Sequence, residues 1–132
     1  MSPKDGGRIA VIDMIADPTP KIAEETNRLE RLRDPSHGRT LTAAEITHLI
    51  EDAGGVIETD SVQDQPLDLE DWMARTETPA AIREEIRRRL DDELRGGSPT
   101  GLRPARDAGG QVTFVHPWII AIIRVKHGAA HA

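Results

Sequence analysis

Cysteine is absent from this sequence of 132 residues, and aromatic side chains are scarce. Without cysteine the chain can form no disulfide, no thiolate metal site and no cysteine nucleophile. One phenylalanine and two tryptophans are the only aromatic residues, which make up 2% of the sequence. The core must therefore be built mainly from aliphatic side chains.

The sequence also has no excess of positively charged residues. The sequence has 17 lysines and arginines against 23 aspartates and glutamates, a formal net charge of -6. This balance argues against binding to a phosphate backbone. The arginines between positions 83 and 89 alternate with carboxylates three and four residues away, which is typical of a solvated helix face. We expect no nucleic-acid partner.

Long hydrophobic runs are lacking as well. The longest run, from Trp118 to Ile123, is far too short to span a bilayer, and the amino terminus has no apolar segment of signal-peptide length. The five histidines show no spacing typical of metal ligands. We therefore expect a cytoplasmic protein with no membrane association and no metal site.

Two apolar segments predict buried strands. A glycine pair at Gly6 and Gly7 precedes Ile9–Ile12, four apolar residues without alternation, and Asp13 follows them. A continuous run between turn signals is typical of a strand buried on both faces of a helix-covered sheet. The segment Trp118 to Ile123 has the same character, whereas Val56 to Val62 alternates partly and predicts a shorter, more exposed strand.

Helix start and stop signals divide the remaining sequence. Thr42 with Glu45 forms the pattern of a capping box, the clearest start signal in the chain. Proline, aspartate and glycine signals mark the other ends. They predict helices from Pro20 to Arg33, from Thr42 to Gly54, from Asp68 through Trp72 and from Pro79 to about Leu94. A loop is expected from Gln63 to Pro66. Leu102 to Arg106 and Gln111 to Val115 are expected to form a hairpin. The order predicts a single α/β domain with few strands.

Three segments together resemble a known family. They are Gly6 to Asp13, Asn27 to His37 and Leu69 to Thr76. In this order and spacing they resemble the carboxy-terminal half of class I S-adenosylmethionine-dependent methyltransferases, particularly small-molecule enzymes of the ubiquinone and menaquinone biosynthesis group. The resemblance covers nearly the whole chain, as one partial domain over residues 1–126, and leaves residues 127–132 as a flexible tail.

The resemblance implies part of a Rossmann-like sheet. The three predicted strands would correspond to strands five, six and seven of the family, with the seventh inserted antiparallel between the other two and helices covering the sheet. The family binds S-adenosylmethionine through a glycine-rich loop in its first half. None of the glycine pairs here forms a Gly-x-Gly-x-x-Gly turn between a strand and a helix. We therefore assign no cofactor-binding residues and expect no S-adenosylmethionine binding by this chain alone.

The resemblance also suggests a substrate site. The family places a substrate-covering helix at the segment containing Arg33 and His37, so that His37 accepts a proton from a substrate hydroxyl and Arg33 holds an anionic oxygen. Trp72 and Arg75 would line the same cavity. The alternative is structural: Arg33 and His37 then belong to an ordinary helix end, and Trp72 is a packing anchor.

Three other residues are candidates of lower rank. Asp13 and Asp17 follow the first strand, where open α/β sheets place their ligands, but the turn that follows is the favoured role for them. His116 precedes a proline and is expected to shape the start of the last strand.

Two functions follow from these features. In the first, the chain is the substrate-side half of a small-molecule methyltransferase whose cofactor half is supplied by another chain. In the second, it is a non-catalytic relative that forms dimers or binds a ligand. In both cases the Ile9–Ile12 strand would lack a neighbour, so we expect a homodimer or a partner chain at this edge, unless Gln111 to Val115 folds over it.

Overall fold

The computed structural model describes residues 7 to 125. The predicted tail, residues 127–132, and Gly6 of the glycine pair lie outside this range. Within it, four strands and four helices follow in the order β1 (Arg8–Met14), α1 (Pro20–Arg33), α2 (Ala43–Asp52), β2 (Gly55–Asp68), α3 (Leu69–Arg75), α4 (Ala80–Leu94), β3 (Ala105–Arg106) and β4 (Val112–Val125).

The sheet is arranged around β4. The strand order is β1-β4-β2, and β4 runs antiparallel to both neighbours, so that β1 and β2 are parallel to each other. Ile120 of β4 lies opposite Ile12 of β1 and Ser61 of β2. This arrangement confirms the predicted fold class, a partial Rossmann-like sheet with its last strand inserted antiparallel between the other two.

The strands are longer than predicted. Gln63 to Pro66, expected to be a loop, belongs to β2, which pairs with β4 along its whole length apart from a register shift between Ile57 and Thr59. Because β2 lies at an edge of the sheet, it tolerates a proline. The predicted strands at 111–115 and 118–123 are one continuous strand, β4.

The hairpin does not cover β1. Ala105 and Arg106 pair with Thr113 and Val112, and Val115 lies opposite Pro66 of β2. The alternative in which Gln111 to Val115 folds over the Ile9–Ile12 edge is therefore wrong. The reason is the continuity of β4, whose first residues are already engaged by β2 and β3.

The helix boundaries agree with the sequence signals. The hydroxyl of Thr42 accepts a hydrogen bond from the amide of Glu45 at 3.2 Å, and Oε1 of Glu45 accepts one from the amide of Thr42 at 3.0 Å. This confirms the capping box. Thr19 occupies the corresponding position before α1, but its side chain makes no capping hydrogen bond.

Two hydrophobic clusters hold the helices on the sheet. The larger cluster joins α1, α3 and α4 to the first half of β4 around Phe114, which is fully buried together with Leu29 and Ile86. The smaller cluster joins α2 to the sheet through Ile46 and Ile119. The core is aliphatic except for Phe114 and Trp72, as the composition predicts.

The expectation that β1 is buried on both faces is wrong. Ile9 and Ile12 are 42% and 61% exposed. Within residues 7 to 125, β1 pairs only with β4, and its other edge has no neighbour. A continuous apolar run is typical of a strand in the interior of a sheet, but among the described residues β1 is an edge strand.

One face of the β1–β4 half of the sheet is less covered than the other. Ile119, Ala121 and Ile123 of β4 are buried, and Ile119 packs under α2. Ile12 and Ile120, which lie opposite one another in register, are on the other face, where they line a shallow groove together with residues 63–66 of β2. This exposed apolar face is continuous with the open edge of β1.

Candidate functional site

A cavity of about 350 Å³ lies at the carboxyl end of β1. Open α/β sheets place their ligands at the carboxyl ends of parallel strands, so this is the expected location of a binding site. The segment after β1 forms one wall, and α1, β2, β4 and the loop before β3 complete it. The lining residues are Met14 to Pro18, Thr26, Glu30, Thr40, Val62, Asp64, Gly101 to Arg103, His116 and Pro117.

A buried pair of a glutamate and a histidine borders this cavity. Oε1 of Glu30, on α1, lies 2.9 Å from Nε2 of His116, on β4. Glu30 is 2% exposed and His116 is 7% exposed. Charged groups are rarely buried to this extent unless they are paired, because desolvation of a lone charge is costly. The pair thus joins helix α1 to the central strand beside the cavity.

Aromatic rings fix the imidazole of His116. Its centroid lies 5.2 Å from that of Phe114 and 6.0 Å from that of Trp72, and both contacts are edge-to-face. Such contacts are the preferred geometry of aromatic rings, and these side chains belong to the larger hydrophobic cluster. The ring of His116 is therefore held from the core side as well as by Glu30.

An ion pair lies at the rim of the cavity. Arg103 donates two hydrogen bonds to the carboxylate of Asp64, at 2.7 and 2.9 Å. These bonds lower the pKa of Asp64 below its ordinary value. The backbone of Arg103 has a φ of 49°, a conformation that is unfavourable for a residue with a side chain. Both residues are about half exposed, so the pair joins β2 to the loop without closing the cavity.

A glycine is required in the cavity wall. Gly101 has a φ of 84°, and a Cβ atom added there would collide with Oγ1 of Thr26 on α1. Only glycine combines this backbone conformation with such a close approach. The loop before β3 is thereby brought against α1, and the hydroxyl of Thr26 donates to the carbonyl oxygen of Thr100.

The structure brings together two of the four predicted site residues. The guanidinium of Arg33 lies over the ring of Trp72, with its Cζ atom 4.5 Å from the ring centroid. Its Nε atom donates a hydrogen bond to the carbonyl oxygen of Trp72 at 3.0 Å. Burial lowers the pKa of Arg33 below its ordinary value. Trp72 is 3% exposed, which agrees with its alternative role as a packing anchor.

The other two predicted residues form no hydrogen bond with this pair, although Arg75 is near enough for its charge to contribute to the lowered pKa of Arg33. Nε2 of His37 is 3.2 Å from Oδ1 of Asn27 and 3.3 Å from Oγ1 of Thr40, and His37 is half-buried. Arg75 is exposed and donates to Asp71 on its own helix at 2.6 Å. None of the four residues lines the cavity at β1, although Thr40, the neighbour of His37, does.

The structure also shows the contacts of the lower-ranked candidates Asp13 and Asp17. The carboxylate of Asp17 accepts a hydrogen bond from the amide of Thr19 at 2.8 Å, and that of Asp13 accepts one from the amide of Met14 at 2.8 Å. Asp17 therefore serves the turn before α1 and also lines the cavity, whereas Asp13 lies within β1 and accepts from the next residue of the same strand.

Glu30 and His116 were missed by the sequence analysis. His116 was expected to shape only the start of its strand, and Glu30 was given no role. The helical spacing offered a signal. Glu30 lies four residues after Thr26 and eight after Ile22, so the three residues share one face of α1. A carboxylate on that face must be buried, and a buried carboxylate needs a partner.

Other classes of site are not found in the part of the chain described. Within residues 7 to 125, no group of three histidine, aspartate or glutamate side chains is placed so that it could hold a metal ion. In the same range, no helix has both the length and the apolar character needed to cross a membrane.

Comparisons with known proteins give a consistent architecture. No protein-family model matches this sequence. An uncharacterized Escherichia coli K12 protein, YafE, is 33% identical over 84 residues, which are 64% of this chain and 41% of YafE. The chain thus spans less than half of the length of that relative.

Two solved structures share the fold. A candidate methyltransferase from Bacillus halodurans C-125, BH2331, superposes with a TM-score of 0.76 over 93% of this chain and 57% of its own, at 22% identity. The YcgJ protein from Bacillus subtilis superposes with a TM-score of 0.77 over 95% of this chain and 53% of its own, at 26% identity. Nearly all of this chain therefore has the fold of about half of each larger protein.

Proposed function

We propose that this chain is the substrate-side half of a small-molecule S-adenosylmethionine-dependent methyltransferase, active when another chain supplies the cofactor-binding half. One observation carries the proposal: the chain superposes over 93% of its length on a candidate methyltransferase of which it covers only 57%. The family resemblance of the three sequence segments supports the same reading. The resemblance also suggests that the methyl acceptor is similar to the compounds that are methylated in quinone biosynthesis.

Catalysis in such an enzyme depends mainly on alignment. S-adenosylmethionine, when bound, supplies an activated methyl group, and the protein must hold the accepting atom in line with it while excluding water. In this chain the cavity at the carboxyl end of β1 would hold the acceptor. His37 would act as the proton acceptor, and it is connected to the cavity through the hydroxyl of Thr40.

Arg33, Trp72 and Arg75 would have supporting roles. Arg33 and Trp72 hold the carboxyl end of α1 against α3, and this contact would fix the helix that carries Glu30 beside the cavity. Arg75 lies on the same short helix with its charge exposed. There it is paired with Asp71 and would support the helix rather than contact the acceptor.

The open edge of β1 is where the missing half would pair. An exposed apolar strand with unpaired backbone groups favours the addition of another strand. The adjoining apolar face, with Ile12 and Ile120, would be covered by the same partner.

Calorimetric titration with S-adenosylmethionine tests the proposal. We expect no binding by the chain alone. After mixing with the product of an adjacent reading frame that encodes a glycine-rich strand-turn-helix, we expect saturable binding and transfer of labelled methyl groups. Saturable micromolar binding by the chain alone would contradict the proposal that another chain supplies the cofactor-binding half.

The role of His37 has its own test in the reconstituted pair. We expect His37→Ala to lower turnover, because the proton acceptor is lost, whereas His48→Ala, at an exposed position on α2, leaves it unchanged. Unchanged turnover of the His37 variant would rule out this assignment.

A second candidate function is a non-catalytic module that dimerises through the same edge or binds an apolar ligand. The exposure of Ile9 and Ile12 favours it, because a second copy of β1 would satisfy the open edge without any cofactor half. A homodimer that remains intact in the presence of the proposed cofactor half would support this alternative.

A further inference from the structure

The Glu30–His116 pair beside the cavity has unused capacity for hydrogen bonding. Glu30 and His116 both line the cavity of about 350 Å³, and a hydrogen bond joins Oε1 of Glu30 to Nε2 of His116. A carboxylate offers about four lone-pair positions. Within residues 7 to 125, Oε2 of Glu30 has no hydrogen-bond partner. Oε2 is not among the fully buried polar atoms that lack a partner, so it is accessible and can accept a hydrogen bond from a molecule in the cavity that Glu30 lines.

The other charged groups of the cavity wall are already engaged. The carboxylate of Asp64 is held by two hydrogen bonds from Arg103, and that of Asp17 accepts the amide of Thr19. Three carboxylates and a single arginine line the wall, so an anionic ligand is disfavoured. Apolar groups from Ile15, Leu102 and Pro117 provide much of the remaining lining.

We propose that Glu30, oriented by His116, recognises the hydroxyl group of a small, uncharged and mostly apolar molecule, such as a phenol or an enol. The hydroxyl donates to the carboxylate, and the apolar body of the ligand fills the cavity. This inference rests on the proposed function insofar as such a molecule is the methyl acceptor. Its binding requires neither the cofactor nor the other half of the enzyme.

Ligand-detected ¹⁹F NMR with the full chain tests the inference. The probe is 6-fluoro-2-naphthol, and its methyl ether is the matched ligand without a donor. We expect the naphthol to bind about tenfold more tightly than the ether, as a hydrogen bond to a charged acceptor implies. Glu30→Gln should reduce this preference to about threefold or less. Glu24→Gln, which removes an exposed carboxylate from the same helix, should leave it unchanged.

A measurement on the unmutated chain protects the test against misfolding of the Glu30 variant. Saturating naphthol should shift the ring resonances of His116, whereas those of His48, whose side chain is 77% exposed, should not move. Equal binding of naphthol and ether, unmoved His116 resonances at saturation, or tighter binding of a protonated fluorobenzylamine would overturn the inference. Because no step uses S-adenosylmethionine, these outcomes are distinct from a failure of methyl transfer.

Discussion

The guanidinium of Arg33 lies over the indole ring of Trp72, 4.5 Å from its centroid, and donates to the carbonyl oxygen of the same residue at 3.0 Å. One side chain thereby joins the end of α1 to the middle of α3 by stacking and by a directed hydrogen bond. A lysine cannot reproduce this combination, because its ammonium group is neither planar nor fixed in direction.

Arg33→Lys should therefore lower the free energy of unfolding by about 1 kcal/mol. Arg31→Lys, at an exposed position of the same helix, is the matched control and should have little effect. Urea denaturation followed by tryptophan fluorescence measures both. Equal stability of the two variants would show that the contact contributes nothing.

Ile12→Lys should abolish association through the open edge of β1. A lysine on an exposed strand disfavours the addition of another strand, because its charge would have to be desolvated. At micromolar concentration we expect the unmutated chain to sediment as a dimer and this variant as a monomer. Leu49→Lys is the control, since Leu49 is exposed to a similar degree, 57% against 61%, but lies on α2.

A monodisperse monomer of the unmutated chain at micromolar concentration would count against self-association. The edge would then be left for a different chain, and only the proposed cofactor half would remain as its partner.

The two threonines that precede α1 and α2 should differ in their contributions to stability. Thr42→Ala should lower the free energy of unfolding by about 1 kcal/mol, because the amide of Glu45 loses its acceptor. Thr19→Ala should change it by less than about 0.5 kcal/mol, because the side chain of Thr19 makes no capping bond. Equal losses for the two variants in urea denaturation would contradict this account of the caps.

The stabilising effect of Glu45 should depend on pH. The hydrogen bond from Arg39, followed by that from the amide of Thr42, lowers the pKa of Glu45 from 4.5 to about 2. Because the pKa is lower in the folded state, the contribution is fully present above pH 4.5 and is lost as the pH falls through about 2.

The stability difference between the unmutated chain and Glu45→Gln should therefore shrink between these two pH values. Glu51→Gln, at an exposed position near the end of the same helix, provides the reference for a general effect of charge. A difference that is constant over the whole range would exclude Glu45 as the titrating group.

The sequence by itself determined the helices, the apolar strands and their order. These features are local: a capping box such as Thr42 with Glu45 involves residues three positions apart, and an apolar run such as Trp118 to Ile123 needs no distant partner to be recognised. The antiparallel insertion of β4 followed from the family resemblance, which preserves the order of these elements.

The tertiary structure alone decided which side chains meet. Glu30 and His116 are 86 positions apart, and Arg33 and Trp72 are 39 apart, so their contacts depend on the register of β4 and on how α1 and α3 pack against it. The exposure of Ile12 was likewise decided by the strand order, because the same apolar strand is buried inside a sheet and exposed at its edge. Hydrophobic periodicity specifies which face of an element is buried, but not which distant residue covers it.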